Sequence, residues 1–438
     1  MLRYFGTDGV RGVAGRELTC ELAFRLARAA GWALKPRRAL LALDTRLSGP
    51  ALASACAAGL AEAGCDVDLA GILPSPAVSH LVRRCGYDLG VGVSASHNPP
   101  EDNGVKFFGP DGLKLSPEAE EQVEALLAAR GGGGPLGAVR LWPGAEGEYE
   151  AILKAAVGDL SLRGVKLVLD CAYGATAPVA PRIFADLGAE VIVLGREPDG
   201  ARINATGAAA IGLLSREVPA RGAVLGVAFD GDGDRSLFVD SRGAVAEGDR
   251  LMAALAPHLL AWGELSSPRV VFTVLANFGA EEYLAQRGFA VERVPVGDRN
   301  VAWAMKEQGI DLGGEPSGHV IFRRYAPTGD GILTALLVLR ALRRLGTDLG
   351  TLVAPVSLYP QVRVDVPVAD RERVLADPTV QAAIEEARAQ LDGVGRLVVR
   401  PSGTQPLIRI MAEGPDEAAL RRAVDGVAEA VAKREEHA

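Results

Sequence analysis

Short apolar runs alternate along this chain with longer stretches rich in alanine and leucine. The first apolar run, 40–44, is followed by a helical pattern over 49–63 and by another strand candidate at 66–70. The same succession of elements recurs over 166–194 and over 270–294. Such alternation is typical of α/β layers with mixed, largely parallel sheets. The pattern therefore predicts an α/β protein built from three similar αβ units in tandem.

Breaks in this pattern divide the chain into four predicted domains. A glycine-rich stretch at 130–137 precedes a helical pattern at 148–157, and further breaks lie near 247–249 and 356–359. After the last break come a strand candidate at 361–367, a helix at 379–391, two strands around 400–410 and a final helix at 415–433. We predict αβ domains over 1–146, 147–248 and 249–357, and a smaller C-terminal α+β domain over 358–438.

Composition narrows the classes of partner and location. The chain has 438 residues, which exceeds one hydrophobic core, and its net charge of −8 argues against a general nucleic-acid binder and for a small-molecule partner. Five cysteines without a CxxC pair indicate neither a disulfide framework nor a zinc site, which favours a reducing cytoplasm. The apolar run at 332–339 is too short to span a bilayer, so no membrane association is expected.

An apolar strand at 91–95 leads directly into a polar loop that begins with Ser96 and His97. Lys106 follows within the same segment and supplies a cation. Two interpretations are open: a loop that presents a nucleophile or phosphate carrier, and an ordinary serine-containing loop. Adjacency of serine and histidine does not decide between them, because neighbouring side chains on an extended segment point in opposite directions.

A second loop carries aspartate at every other position, after an apolar run at 224–229. Its carboxylates are Asp230, Asp232 and Asp234, with glycines between them that allow the loop to curl around one hard cation. An EF-hand is excluded, because Arg235 occupies the required glycine position and Ser241 the required glutamate. The pattern favours a Mg²⁺ site with open coordination positions over an acidic surface turn.

A turn between the two C-terminal strand candidates collects anion-binding groups. Arginine forks, hydroxyl groups and exposed amides together suit a phosphate. The candidates are Arg400, Ser402, Gly403, Thr404 and Arg409. The alternative is a Pro/Gly hairpin with incidental polar residues.

Two further loops are rich in glycine. Residues 313–319 contain Glu315, Ser317 and His319, groups able to recognise sugar hydroxyls, although a lone histidine is often structural. Residues 5–12, at the start of the chain, contain Arg11. This segment is either tied down beside a site or an ordinary terminal turn.

Together these segments resemble the α-D-phosphohexomutase family across nearly the whole chain, in the family's order. The resemblance implies four domains around a central cleft, a phosphoserine at Ser96, and Mg²⁺ held by Ser96 and the three aspartates. It implies that Glu315, Ser317 and His319 contact the sugar and that the turn at 400–404 holds the distal phosphate. We further expect Lys106 and Arg11 to neutralise the transferred phosphoryl group, Lys106 also to be a candidate acid or base, and Arg235 and Arg409 to bind substrate. His97 is counted with the catalytic residues, although it need not act as a base for Ser96.

Residues 4–12 and 297–299 look most like the branch of that family that acts on glucosamine phosphates. The resemblance then implies an isomerase that interconverts glucosamine 6-phosphate and glucosamine 1-phosphate through a sugar bisphosphate. It also implies a 1,6-bisphosphate as priming activator, a homodimer, and a supply of UDP-N-acetylglucosamine for the cell wall. Three departures bear on the substrate: Gln405 stands where glutamate is usual, residues 204–210 lack the expected polar sequence, and Pro316 lies in the sugar loop.

Other functions are also considered. A phosphomannomutase or phosphoglucomutase would share the reaction, and a non-catalytic phosphosugar sensor would share the binding site. The joint presence of Ser96, Lys106 and the aspartates argues against a sensor. A hydrolytic phosphatase leaves the turn at 400–404 unexplained. Because a bisphosphate intermediate must reorient without escaping, we also predict a hinge near 356–361.

Overall fold

The computed structural model describes residues 3–6, 8–129, 134–158, 160–392, 394–402 and 406–436. By its internal contacts the chain forms two compact units. The first comprises Met1–Thr273 and Glu292–Pro355, and the second comprises Val274–Val291 and Val356–Ala438. The four domain boundaries remain predictions, since this division separates only two units. None of the helices in the described ranges has the length and apolar character needed to cross a lipid bilayer.

The first αβ repeat contains a six-stranded sheet. Its strands are β1 (Val10–Val13), β2 (Arg38–Leu43), β3 (Asp66–Ile72), β4 (Leu89–Val93), β5 (Asp102–Phe108) and β6 (Val139–Leu141). They lie in the order β1-β5-β4-β2-β3-β6. The helices of this segment are α1 (Cys20–Leu34), α2 (Gly49–Glu62), α3 (Ser75–Cys85) and α4 (Pro117–Ala125), and α5 (Ala145–Val157) leads into the second repeat.

The second and third repeats have smaller sheets. The second contains β7 (Lys166–Asp170), α6 (Ala180–Asp186), β8 (Glu190–Leu194), α7 (Gly212–Ala220), β9 (Leu225–Phe229), β10 (Ser236–Asp240) and β11 (Val245–Ala246). The third contains α8 (Gly248–Ala261), β12 (Arg269–Thr273), α9 (Phe278–Ala285), β13 (Ala290–Val294), α10 (Asp298–Gln308), β14 (Leu312–Gly314), β15 (Val320–Phe322), α11 (Gly331–Leu345) and α12 (Leu349–Val353). Helix α8 begins at Gly248, and Asp249 places an acidic side chain in its first turn, where a negative charge is favourable.

All three repeats share one strand order. It reads β3-β2-β4-β5 in the first, β8-β7-β9-β10 in the second and β13-β12-β14-β15 in the third. In each, the third strand along the chain runs parallel to the first, and the fourth returns antiparallel to the third. The predicted fold class, three similar αβ units with mixed sheets, is therefore confirmed.

The C-terminal segment has its own antiparallel sheet and core. It contains β16 (Gln361–Pro367), α13 (Arg371–Leu375), α14 (Pro378–Leu391), β17 (Arg396–Pro401), β18 (Leu407–Glu413) and α15 (Glu417–Glu436), with strand order β16-β18-β17. Segment 274–291 groups with it because the Asn277 side chain bonds the main chain of Tyr359 in both directions, donating at 3.0 Å and accepting at 2.9 Å. The sequence pattern had placed this segment in the preceding repeat.

Candidate active site

The three repeats place their polar loops at equivalent points of the fold. Each loop joins the third strand of a repeat to the fourth: Ser96 lies between β4 and β5, the aspartates between β9 and β10, and residues 315–319 between β14 and β15. All three loops leave the carboxyl end of a strand that runs parallel to a neighbour, the edge at which α/β sheets place their ligand sites. The fold therefore supplies one loop per repeat to a single site.

Ser96 has a left-handed backbone conformation, with φ of 50°. Such a conformation persists in a non-glycine residue only where the surroundings hold it, and it is concentrated at functional sites. The Ser96 amide donates to Ser94 Oγ at 2.9 Å, and that hydroxyl donates to Asp44 Oδ2 at 2.5 Å. The side chain of Ser96 is thereby directed toward the aspartate loop, where Oγ donates to Asp230 Oδ2 at 2.6 Å.

The three aspartates form a buried cluster. Asp230 and Asp232 are 0% exposed and Asp234 is 6% exposed, so the interpretation as an acidic surface turn is wrong. Ligand oxygens from all three lie within 4.8 Å of one another. Within the described residues, Oδ1 of Asp232 and Oδ1 of Asp234 accept no hydrogen bond. Buried carboxylates with free oxygens suit a hard divalent cation.

Electrostatics in this cluster are unfavourable for three negative charges. Burial, followed by the charges of Asp234 and Asp232, raises the pKa of Asp230 well above its ordinary value. For Asp232 burial and the charge of Asp234 act in the same direction, but the Lys106 ammonium and the Ser75 hydroxyl outweigh them and the pKa is lowered. Burial also opposes the charge of Asp234, but the His319 and Lys106 side chains outweigh it, and the pKa of Asp234 lies well below its ordinary value.

Lys106 is buried among carboxylates. Its Nζ lies 2.8 Å from Asp232 Oδ2, 3.2 Å from Asp8 Oδ2 and 4.0 Å from Asp234 Oδ2. Asp8 also pairs with Arg11, and Arg11 donates to the Asn98 side chain at 3.1 Å. Asp8 thus holds both predicted cations beside the Ser96 loop.

His97 and Arg235 lie beside the same cluster. His97 Nδ1 is 3.4 Å from Ser96 Oγ, and Arg235 Nε is 3.9 Å from Asp234 Oδ1. Loss of solvation, followed by the positive charges of Arg235 and Arg11, lowers the pKa of His97 to about 4. His97 is therefore neutral near neutral pH.

Glu315 is held by its own loop and by the start of α10. Its carboxylate accepts hydrogen bonds from the Gly297 amide at 3.2 Å and from Ser317 Oγ at 3.3 Å. Of these two predicted sugar contacts, Ser317 is exposed to solvent and Glu315 is buried.

His319 is oriented differently from Glu315 and Ser317. The ring is buried, its Nε2 accepts the Gly329 amide at 3.1 Å, and its Nδ1 lies 3.7 Å from Asp234 Oδ2. Because Nε2 is an acceptor, Nδ1 carries the ring proton and faces the aspartate. The structure thus joins His319 to the aspartate cluster.

The predicted phosphate turn belongs to the C-terminal unit. Arg400 on β17 lies directly opposite Arg409 on β18, and Ser402 is buried. Burial, followed by the charges of Arg409 and Arg363, lowers the pKa of Arg400. Like charges directly opposite one another destabilise a sheet, which an anion would relieve. Gly403, Thr404 and Gln405 lie outside the described residues.

Several residues of the site were not found from the sequence. Five of them contact the Ser96 loop or the cations beside it, and the sixth pairs with Asp8: Asp44, Arg46, Ser94, Asn204, Asp8 and, last, Lys114. Asp298 lies in the motif at 297–299, and its carboxylate pairs with Lys114. The one local signal was the polar Asp44-Thr45-Arg46 that follows the apolar strand β2.

Comparison with known proteins agrees with this geometry. Four models of phosphoglucomutase/phosphomannomutase domains match the chain: α/β/α domain I at 2–131, domain II at 149–243, domain III at 247–359 and the C-terminal domain at 364–430. The phosphoglucosamine mutase of Desulforamulus reducens is 45% identical over 442 residues, covering 98% of this chain and 99% of the relative.

Solved structures of similar proteins have the same fold as this chain. A phosphoglucomutase/phosphomannomutase family protein from Burkholderia thailandensis has a TM-score of 0.82 and 26% identity, with 98% of this chain and 97% of that chain covered. The N-acetylphosphoglucosamine mutase of Aspergillus fumigatus, in complex with GlcNAc-6P and magnesium, has a TM-score of 0.72 and 20% identity, with 99% and 96% covered. The chain belongs to the phosphoglucomutase/phosphomannomutase family, the α-D-phosphohexomutases that its motifs resemble.

Proposed function

We propose that this protein interconverts glucosamine 6-phosphate and glucosamine 1-phosphate, with Ser96 as the phosphoryl carrier. The observation that carries the reaction is the buried contact of 2.6 Å between Ser96 Oγ and Asp230, beside Lys106 and the other two aspartates. The choice of glucosamine is supported by the phosphoglucosamine mutase of Desulforamulus reducens, which is 45% identical to this chain over nearly the full length.

A Mg²⁺ ion fits the aspartate cluster, because two buried carboxylate oxygens there accept no hydrogen bond from the described residues. Asp230, Asp232, Asp234 and the Ser96 oxygen would hold it. When bound, the ion supplies positive charge that stabilises the transferred phosphoryl group. The Aspergillus enzyme was solved with magnesium.

The transfer step requires one phosphoryl group to move between two oxygens. A sugar hydroxyl oxygen forms a bond to phosphorus while the bond from phosphorus to Ser96 Oγ breaks, and the hydroxyl proton leaves to a base. Lys106 is buried at the cluster and is the candidate general acid or base; it would take up that proton as the free amine. Arg11 and Arg235 supply further positive charge for the oxygens of the phosphoryl group.

The product of this step is a sugar bisphosphate that must turn over before the reverse transfer. Arg400, Ser402, Gly403, Thr404 and Arg409 are proposed to hold whichever phosphate is not reacting. Glu315, Ser317 and His319 are proposed to contact the hydroxyl groups of the sugar. A 1,6-bisphosphate would prime unphosphorylated Ser96, and a homodimer is proposed by analogy with the family.

Two other functions make different predictions. A mannose or glucose phosphate mutase would use the same Ser96 and aspartates with another sugar. A sensor would bind without transfer, and it does not account for a serine held in a strained conformation against the buried Asp230 carboxylate.

The test compares kcat/KM for glucosamine, glucose and mannose 6-phosphates, with Mg²⁺ and a priming bisphosphate. Glucosamine 6-phosphate is expected to give the highest value, and a higher value for either other sugar would overturn the proposed substrate.

Peptide mass analysis should find phosphate on Ser96 of active enzyme, and Ser96→Ala should abolish turnover. Ser79→Ala, which removes a buried serine that donates to the Gly112 carbonyl, is the matched control. Full activity of Ser96→Ala would overturn the reaction.

A further inference from the structure

A fully buried guanidinium lies behind the Ser96 loop. Arg46 Nη2 donates to the carbonyls of Ser96 and Asn98, both at 2.9 Å. Its Nη1 donates to the carbonyls of Pro99 and Asp102, and its Nε donates to Asp44 Oδ2 at 3.0 Å. A guanidinium has five N–H donors, and all five are used here.

Asn204, from the second repeat, binds two of the same carbonyls. Its Nδ2 donates to Ser96 O at 2.9 Å and to Asn98 O at 3.1 Å. The segment that carries Asn204 packs closely on the segment of Arg46, since a Cβ on Gly200 would lie 2.2 Å from the Thr45 carbonyl. Asn204 therefore holds the loop from a second repeat.

These contacts fix both polar main-chain groups of Ser96. Arg46 and Asn204 donate hydrogen bonds to its carbonyl. Its amide donates to Ser94 Oγ, which in turn donates to the Asp44 carboxylate. The φ of 50° at Ser96 is unfavourable unless it is held in this way. Arg46 and Asn204 donate to main-chain carbonyls of the loop, which distinguishes them from Lys106 and Arg11, whose partners are side chains.

We propose that Arg46 and Asn204 are positioning residues that hold the Ser96 loop in the geometry needed for phosphoryl transfer. This inference rests on the proposed function of Ser96. Effective transfer requires the reacting oxygens and phosphorus to be aligned, and a displacement of about 1 Å can cost about 100-fold in rate. A loosened loop would transfer slowly while the sugar site remains intact.

A loosened phosphoserine would also react more often with water. In that side reaction a water oxygen bonds to phosphorus, the bond from phosphorus to Ser96 Oγ breaks, inorganic phosphate leaves, and the serine oxygen takes a proton. The ratio of phosphate release to isomerisation therefore reports on positioning, which a loss of stability alone would not change.

The test uses full-length Arg46→Lys, Asn204→Ala and the double variant. Lysine keeps the charge but has three donors without the planar fork, so it cannot serve five acceptors. Arg340→Lys is the matched control, because Arg340 likewise donates to a carbonyl and a carboxylate, those of Ala156 and Glu264. Melting temperatures identify any variant that is merely unfolded.

We expect kcat of Arg46→Lys to fall about 100-fold with KM for the sugar phosphate unchanged. The ratio of phosphate release to isomerisation should rise. Because Arg46 and Asn204 share two acceptors, the effects of the two substitutions should not be additive. A kcat equal to that of Arg340→Lys, or an unchanged ratio, would overturn the proposal.

Hydrogen exchange followed by mass spectrometry tests the holding role without turnover. Amides over 94–102 should exchange faster in Arg46→Lys and Asn204→Ala than in the wild type or Arg340→Lys. Unchanged exchange there refutes the role of these residues even if the wild type is a mutase. Faster exchange in a protein whose wild type transfers no phosphoryl group refutes the proposed function and leaves the holding role standing.

Discussion

Ser96 and Asp230 are 134 residues apart in the chain and share a hydrogen bond of 2.6 Å. The residue types at both positions were recognised from their local motifs, because a serine after an apolar strand and a run of alternating aspartates are visible without a structure. The direction of each side chain was not. It depends on the left-handed φ of Ser96 and on the burial of the aspartates, and both result from packing between repeats.

Substitution Asp232→Ala should weaken the binding of Mg²⁺ to the enzyme. The change removes a buried carboxylate that has one oxygen without a hydrogen bond, and it leaves Lys106 without its nearest partner. The Mg²⁺ concentration for half-maximal activity should rise by about 100-fold or more, since changes even outside the direct ligands cost about 10–100-fold. The control is Asp240→Asn, because the Asp240 carboxylate accepts hydrogen bonds from two amides of its own turn. An unchanged Mg²⁺ dependence would show that Asp232 is not part of the metal site.

Gly329→Ala should displace His319. A Cβ at this position would lie 2.6 Å from the imidazole, and the Gly329 amide orients that ring. We expect kcat/KM to fall about 10- to 100-fold, the size of effect seen when a supporting contact of a site is lost. Gly212→Ala is the matched control, because a Cβ added there would meet no atom within 4 Å and alanine favours the helix. Equal kinetics for both variants would show that the ring position does not matter.

The strands and helices were largely predictable from periodicity. The run at 166–170 is β7, the run at 361–367 is β16, and the helix predicted at 379–391 is α14 with one more residue at its start. What periodicity could not give was the partner of each element. The N-terminal segment illustrates this, because its three amides of Arg3, Tyr4 and Phe5 are bound by the carboxylate of Glu124 on α4. The segment that carries Asp8 and Arg11 is therefore tied down, as one of the two interpretations of the sequence required.

Glu124→Gln should lower stability in a pH-dependent manner. Burial would raise the pKa of Glu124, but the three backbone amides outweigh it and the pKa lies below its ordinary value of 4.5. The carboxylate therefore stabilises the fold above pH 4.5, and this contribution is lost as the pH falls through the lowered pKa. At neutral pH we expect the free energy of unfolding to fall by about 1 kcal/mol, because the site is partly exposed to solvent.

Denaturant unfolding at several pH values measures this effect. The difference between wild type and Glu124→Gln should be constant near neutral pH and shrink well below pH 4.5. Glu121→Gln changes an exposed carboxylate on the same helix and should have little effect. A difference that persists unchanged into acid would show that the charge of Glu124 is not responsible.

At the scale of the whole molecule, the three repeats share a strand order while the C-terminal unit has a core of its own. That core packs β16, β17 and β18 against α14 and α15. Four segments were predicted from breaks in the pattern, but the transfer of segment 274–291 to the second unit was not. It depends on the hydrogen bonds of Asn277 with Tyr359, which are 82 residues apart.

Ile410→Ala should destabilise the second unit selectively. Ile410 is fully buried in that core, and removing its side chain should cost about 2–5 kcal/mol. Hydrogen exchange should accelerate over 274–291 and 356–436, while protection of the first unit and the Mg²⁺ dependence remain unchanged. Ile183→Ala, a fully buried isoleucine of the first unit, should give the converse pattern. Equal loss of protection in both units would contradict the division.

The α/β class, the repeated succession of elements and the residue types of the four motifs are predictable from the sequence alone. These follow from periodicity and from short-range chemistry, which are properties of neighbouring residues. The three-dimensional arrangement was needed to show that the loops of the three repeats are topologically equivalent, that His319 faces Asp234, and that Asp8, Arg46 and Asn204 support the site. Such contacts join segments far apart in the chain, where burial and strand order, rather than local sequence, set the distances.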